Sequence, residues 1–168
     1  AIKLLPPELA DRPNLRQRFL SEARLAARLS HPNIVPIHSV EEHGRLVWFV
    51  MAFVPGQSLG ESLRKRGALP AGEVARILRD VAWALAYAHG QGVVHRDVKP
   101  DNILLEAGGR RALIADFGIA APLSEAGTGD VVGTVAYLSP EQAHGERVDH
   151  RSDIYGLGVA GYYALSSR

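Results

Sequence analysis

Apolar positions along the chain follow two rhythms, and the change falls near residue 55. Between 12 and 29, Leu15, Phe19, Ala23, Ala26 and Leu29 recur at helical spacing, which predicts an amphipathic helix with Asp11 or Asn14 placed to cap it. Residues 34–40 and 46–54 read as strands joined by the polar turn Glu41-Glu42-His43-Gly44. Pro55-Gly56-Gln57 breaks the pattern and is the natural boundary between two lobes. After it the chain turns helical. Ser58 and Glu61 form a capping box for a short helix ending at Gly67, and Val74, Ile77, Leu78, Val81, Leu85 and Ala88 mark a long amphipathic helix closed by Gly90 or Gly92. Apolar runs at 103–105 and 112–115 flank a Gly108-Gly109 turn and predict a hairpin with polar groups at its mouth. Residues 123–135 are small and polar with no period, the pattern of a surface loop. A last apolar helix starts near Ser152 or Asp153.

Two polar features disturb this pattern. Glu22 sits on the apolar stripe of the first helix, and a carboxylate facing inward needs a cation, since an unpaired buried charge costs several kcal/mol. The stretch His95-Arg96-Asp97-Val98-Lys99-Pro100-Asp101-Asn102 crowds acids, bases and an amide against the buried run that follows. Pro100-Asp101-Asn102 is good turn chemistry, which accounts for the proline and not for the other groups.

Composition narrows the class. The 168 residues suit one domain or two small lobes, and 46% hydrophobic with 22% charged residues is too apolar for disorder. A net charge of +1 without basic blocks leaves no nucleic-acid footprint, and 7% aromatic content is too low for a stacking platform. Zero cysteines exclude disulfides and thiolate metal sites and fit a reducing compartment. The longest apolar runs, 46–54 and 156–165, are about half the ~20 residues of a bilayer span, so no membrane contact is expected from this segment. Opening at Ala1-Ile2-Lys3 inside a strand pattern suggests a piece of something longer.

Taken together, "AIK" at 1–3, Glu22, "HRDVKPDN" at 95–102, "DFG" at 116–118 and "SPE" at 139–141 resemble the protein-kinase signature set in order and approximate spacing. With "GTVAYLSPEQA" and "RSDIYGLG" the likeness narrows to bacterial Ser/Thr protein kinases of the eukaryotic-like (Hanks) type, truncated at both ends. The resemblance implies an α+β, two-lobed fold. Residues 1–54 would form a partial N-lobe lacking the Gly-rich loop. Residues 55–168 would form a partial C-lobe with the catalytic loop, metal-binding "DFG" and activation segment. It implies transfer of the ATP γ-phosphate to protein serine or threonine with Mg²⁺, Mn²⁺ being an alternative, in a chain weak or inactive alone. It also implies protein substrates, self-phosphorylation or dimerisation of the parent, no nucleic-acid partner, and a cytoplasmic location under a parent that many relatives anchor in a membrane.

The roles implied by the match follow residue by residue. Asp97 takes or orients the proton of the attacking hydroxyl, Lys99 steadies the γ-phosphate, and Asn102 and Asp116 hold metal. Lys3 grips the α- and β-phosphates and Glu22 holds Lys3, which answers the inward carboxylate. Met51 gates the adenine pocket, the Ala52 and Val54 backbones hydrogen-bond the ring, and Leu104 forms its floor. His95 packs on Phe117 with Ile37 next in the stack, and Asp153 supports the backbone of the "HRD" turn. Arg96 is either a surface salt bridge or a clamp for a phosphorylated loop at Thr128, with Ser124 the weaker site. Thr134 contacts the catalytic Asp and Lys, and Glu141 pairs with an arginine beyond Arg168. Two other readings stay open: a pseudokinase-type regulatory or interaction module, and a small-molecule phosphotransferase. Intact Lys3, Asp97, Asn102 and Asp116 count against the first, Lys99 and "GTVAYLSPE" against the second.

Overall fold

Two antiparallel three-stranded sheets, one early and one late in the chain, each pack against helices over an apolar cluster of their own. The computed structural model describes residues 1–5, 13–44, 46–108, 111–117 and 135–167. The first sheet contains β1 (Ile2–Leu4), β2 (Ile37–His43) and β3 (Leu46–Met51) in the order β1-β3-β2. Lys3 lies opposite Phe49 in that sheet. Helix α1 (Pro13–Ala26) covers one face, placing Phe19 and Leu20 against Val47 and Phe49, with the Phe19 and Phe49 ring centres 5.9 Å apart. The helix begins at Pro13, whose fixed φ suits a first helical turn, so Asn14 is inside it. The alternative cap, Asp11, lies outside the described residues.

The second sheet, β4 (Gly56–Ser58), β5 (Ile103–Glu106) and β6 (Ala112–Ile114), lies in the order β4-β5-β6. Against it pack α2 (Leu59–Arg66) and α3 (Ala71–Gly90); the short helix α4 (Pro140–Ala143) and then α5 (His150–Ser166) follow, with α5 lying on α3. Val74, Ile77, Val81 and Leu85 of α3 meet Ile103, Ile114 and Phe117 beneath the sheet and Leu157, Ala160 and Ala164 of α5. Each large side chain removed from water contributes roughly 1.5–3 kcal/mol. Ala26, Leu29 and Ile34 enter the same core from the N-terminal side. Ile114 donates its N–H to the Asn33 carbonyl and accepts from Val35, while the Asn33 amide donates to the Ala112 carbonyl. These bonds tie β6 to the segment that leads into β2.

Several boundaries differ from the pattern-based expectation. Glu41, Glu42 and His43 belong to β2, because the hairpin closes at Gly44, whose φ of +57° supplies the turn. The strand expected from 34 starts at Ile37: Pro36 lacks a donor, and Ile34 bridges to Ile114 instead. The strand from Leu46 stops at Met51, leaving 52–54 as a connection. Gly56 and Gln57, read as a break, form β4 beside β5. A Cβ at Gly56 would lie 2.0 Å from the Leu105 carbonyl oxygen, so only glycine allows that pairing. Helix α5 starts at His150 with Asp149 as cap, which puts Asp153 one turn inside. The Ser58–Glu61 capping box and the stop at Gly67 are as read. No helix among the described residues is long and apolar enough to cross a membrane.

Candidate active site

The polar stretch at 95–102 is a loop pinned from below and behind. His95 is fully buried, and its Nδ1 accepts the Asp97 N–H at 3.2 Å, so the proton sits on Nε2 and is donated to the Ala115 carbonyl at 2.8 Å. Burial holds the His95 imidazole below its ordinary pKa, which keeps it neutral and argues against a proton-transfer role. Its ring rests on Phe117 with centres 4.7 Å apart and planes tilted by 58°. Ile37 packs against the cluster that contains Phe117.

Asp153, buried on α5, accepts the His95 N–H at 2.8 Å and the Arg96 N–H at 2.7 Å, and His89 Nε2 lies 2.7 Å from the same carboxylate. A carboxylate only accepts, so His89 carries the hydrogen. Arg96 has φ +67° and Asp116 has φ +65°, conformations costing of order 1–3 kcal/mol each for residues with a Cβ. The bonds to Asp153 hold the first. Pattern reasoning did not find His89. The only local cue is a histidine in the last turn of a helix, and its partner lies 64 residues away.

At the other end of the loop the Asn102 side-chain amide donates to the Asp97 carbonyl at 2.8 Å and to Asp97 Oδ2 at 3.0 Å. Lys99 Nζ lies 2.8 Å from the same Oδ2. The Asn102 carbonyl takes the Ala115 N–H at 2.9 Å. Ala115, the residue before Asp116, is thus fixed through its N–H by Asn102 and through its carbonyl by His95. Asp116 in turn pairs with Lys3 at 2.7 Å across from the first sheet. Lys3, Asp97, Lys99, Asn102 and Asp116 therefore form one chain of contacts.

Glu22 is elsewhere. The resemblance implied a Lys3–Glu22 pair. Instead Asp116 holds the Lys3 ammonium and Glu22 Oε1 meets Arg96 Nη1 at 2.9 Å, so Arg96 makes a salt bridge to helix α1. With both acids within reach of a cation, each satisfies its charge with a different one. The Arg96 carbonyl accepts from the Gln142 amide at 2.7 Å, and Gln142 belongs to the Ser139 capping box that starts α4. Glu141 accepts from the Ser152 hydroxyl, the chief reason its carboxyl lies below the ordinary range. Ser124, Thr128 and Thr134 lie outside the described residues.

The expected nucleotide side is apolar. Met51, Ala52, Val54 and Leu104 pack against Val35, Leu113 and Ala115, one residue from Asp116. The Ala52 N–H is already donated to the Pro36 carbonyl at 2.9 Å, so what Ala52 can offer a ligand is its own carbonyl. Beside Val54 and Leu104 opens a groove of about 320 Å³ lined further by Gln57, Ser58, Glu61, Arg64 and Asp101.

No group of three or more His, Asp or Glu among the described residues could hold a metal alone. Asp116 Oδ1, however, is buried without a hydrogen-bond partner among the described residues, and the Asn102 backbone carbonyl accepts from Ala115, the residue before it. One carboxylate and one amide oxygen suit a magnesium ion that completes its shell with phosphate and water oxygens.

The serine/threonine-protein kinase PknJ of Mycobacterium tuberculosis is 42% identical over 99% of the chain, which covers 29% of PknJ. PknA of the same organism is 41% identical over the whole chain, which covers 41% of PknA. Among solved structures, the M. tuberculosis PknI kinase domain matches with a TM-score of 0.83 and 37% identity, covering 98% of this chain and 62% of that one. The chain thus spans well under half of the curated relatives and under two thirds of the solved domain. The match to the family described as protein kinase domain runs over residues 1–168, and with the α+β architecture above it shows that this chain belongs to the protein kinase family.

Proposed function

We propose that the chain is the catalytic segment of a Ser/Thr protein kinase that transfers the γ-phosphate of ATP to protein hydroxyls. One observation carries the reading: Lys3, Asp97, Lys99, Asn102 and Asp116, drawn from separate stretches, are joined by contacts of 2.7–3.0 Å through Ala115. Phosphoryl transfer is mostly positioning and charge neutralisation, and those residue types supply both. Lys99 and the likeness to serine/threonine-protein kinases support serine and threonine as acceptors.

Asp97 accepts the hydroxyl proton, held in place by the two Asn102 donations. Lys99 swings from Asp97 to a γ-phosphate oxygen. Asn102 and Asp116 would hold Mg²⁺ or Mn²⁺, which would supply charge neutralisation for the transferring phosphate. Lys3 leaves Asp116 for the α- and β-phosphates, and Glu22 exchanges Arg96 for Lys3. Arg96 is then available to a phosphorylated loop at Thr128, or more weakly Ser124, while Thr134 and Glu141 shape the peptide side. Met51, the Ala52 carbonyl, the Val54 N–H and Leu104 receive the adenine. The partial lobes meet at residues 54–55, and the domain works in the cytoplasm on protein substrates, with self-phosphorylation and a membrane anchor of the parent as further proposals.

The test uses the intact kinase with Mg·ATP and a generic basic protein, beside Asp97→Asn. Phosphate should appear on serine or threonine and fall by about 10²–10⁴ in the variant, the usual contribution of a general base. Transfer only to a sugar or aminoglycoside would replace this reading with a small-molecule phosphotransferase. Nucleotide binding without transfer would replace it with a regulatory module.

A further inference from the structure

Asp101 is the acid of the 95–102 stretch to which the phosphoryl-transfer chemistry gives no work. It stands on the short 3₁₀ turn Pro100–Asn102, one turn beyond Asp97, with its side chain 53% accessible. Two neighbourhoods meet at its carboxylate. It lines the groove that Val54 and Leu104 border on the nucleotide side. Tyr137 lies within reach of its field: burial above all, then Tyr163 and the Asp101 carboxylate, raise the phenol above its ordinary pKa, while Arg64 opposes them. Tyr137 in turn lines a small cavity together with Asp97.

A carboxylate between the nucleotide side and the residue that accepts the hydroxyl proton is placed to meet a cationic side chain of an incoming peptide. Arg64 already occupies it, donating from Nη1 to Asp101 Oδ1 at 3.2 Å. Helix α2 makes room for this pair. Gly60 and Arg64 lie one turn apart on the same side of the helix. A Cβ at Gly60 would stand 2.3 Å from Asp101 Oδ1, 2.9 Å from its Cγ and 3.3 Å from Arg64 Nη1. The φ of Gly60 is not positive, so space and not backbone conformation calls for glycine there. By contrast, a Cβ at Gly72 in the first turn of α3 would meet nothing within 4 Å.

The neighbouring charges have other work. Lys65 donates to Gln57 Oε1 at 3.0 Å, and Arg66 makes two bonds of 2.9 Å to Glu73. Glu61, the other acid of the groove, accepts the Ser58 N–H in the capping box. Among the described residues the cation on Asp101 is therefore Arg64. A peptide arginine arriving at Asp101 would have to displace an equal cation that the chain itself keeps at high local concentration. It would gain little by doing so.

We propose that Asp101 is a specificity determinant for the acceptor peptide, a carboxylate able to bind a peptide arginine or lysine that this kinase keeps filled with its own Arg64, so that acceptors are chosen without regard to basic residues beside the serine or threonine. This rests on the kinase reading above. The experiment walks a single arginine, alanine or glutamate through the positions on each side of the serine in one peptide. It compares the intact kinase with its Arg64→Ala, Asp101→Asn and doubly substituted forms, reading the kcat/KM ratio of the arginine to the alanine peptide within each enzyme. In the wild type that ratio should stay within about twofold of unity at every position. Arg64→Ala should raise it about fivefold at one position, the worth of an exposed ion pair, through the peptide KM and not through kcat. Asp101→Asn leaves Arg64 uncompensated and should move the preference the other way, about two- to fivefold toward glutamate. The double variant should return to near unity, which assigns both shifts to this pair. A wild type that favours arginine fivefold or an Arg64→Ala enzyme with the wild-type ratio overturns the proposal. Should Arg64→Ala fail to fold, Asp101→Asn decides, and an unmoved ratio there overturns it as well. A wild-type protein that transfers phosphate to no peptide sinks the kinase reading itself, a different failure from active enzymes whose ratios do not move.

Discussion

The two halves of the site are held by different physics. On the catalytic-loop side His95, Asn102 and Asp153 are all buried and hydrogen-bonded to backbone, and their bonds close around Asp97. On the helix α1 side the contacts are ion pairs open to water on their cationic side: Lys3 is 42% accessible against 23% for Asp116, and Arg96 51% against 27% for Glu22. Buried bonds are expensive to leave unmade, whereas exposed pairs contribute about 0–1 kcal/mol and exchange readily. The difference is suited to a site in which one half must stay still while the other changes partners.

Asp153→Ala should give the largest effect on this contrast, because it strands two buried N–H groups and the His89 donor. A loss of about 3–5 kcal/mol in denaturant unfolding is expected. A loss below about 1 kcal/mol would erase the distinction between the halves.

Next in size is a pH effect. The folded pKa of His95 is depressed below the reference value of 6.5, chiefly by burial. The unfolded chain therefore binds the proton first, and stability is fully present above 6.5. It falls as the pH drops below that value toward the folded pKa, by up to about 1.4 kcal/mol per pH unit from this group. Unfolding midpoints compared with His95→Phe should show that component removed. An unchanged slope would mean that His95 is already charged in the fold.

Glu22→Gln should change stability by less than about 1 kcal/mol, and added salt should shrink the change further. A larger loss would mean that the Glu22–Arg96 pair is structural and not exchangeable.

The smallest effect sharpens the comparison by separating exposure from location. Asp149 stands at the head of α5, inside the rigid half, yet its side chain is 39% accessible; Arg151 holds its carboxyl down at about 2 from a reference of 3.8. In Arg151→Ala an NMR titration should find it shifted up toward 3.8, with no measurable change in unfolding at neutral pH.

Local chemistry was legible from residue order alone. The Ser58–Glu61 capping box, the apolar period of α3, the hairpin of β5 and β6 and the density of polar groups at 95–102 each depend on neighbours a few positions apart. The amino-acid sequence therefore determined the α+β class and the crowding of chemistry in one loop. Partner choice was decided only in three dimensions. Whether Lys3 meets Glu22 or Asp116, whether Arg96 meets a loop or helix α1, and that His89 reaches Asp153 all turn on which charges the packed core brings within 3 Å of each other. The same holds for Gly56, read as a breaker and found in a strand, because the Leu105 carbonyl oxygen approaches it from 49 positions away. A charge or a glycine has no preferred partner until the fold sets the distances, and Coulomb attraction and steric exclusion both depend on distance in space, not on separation along the chain.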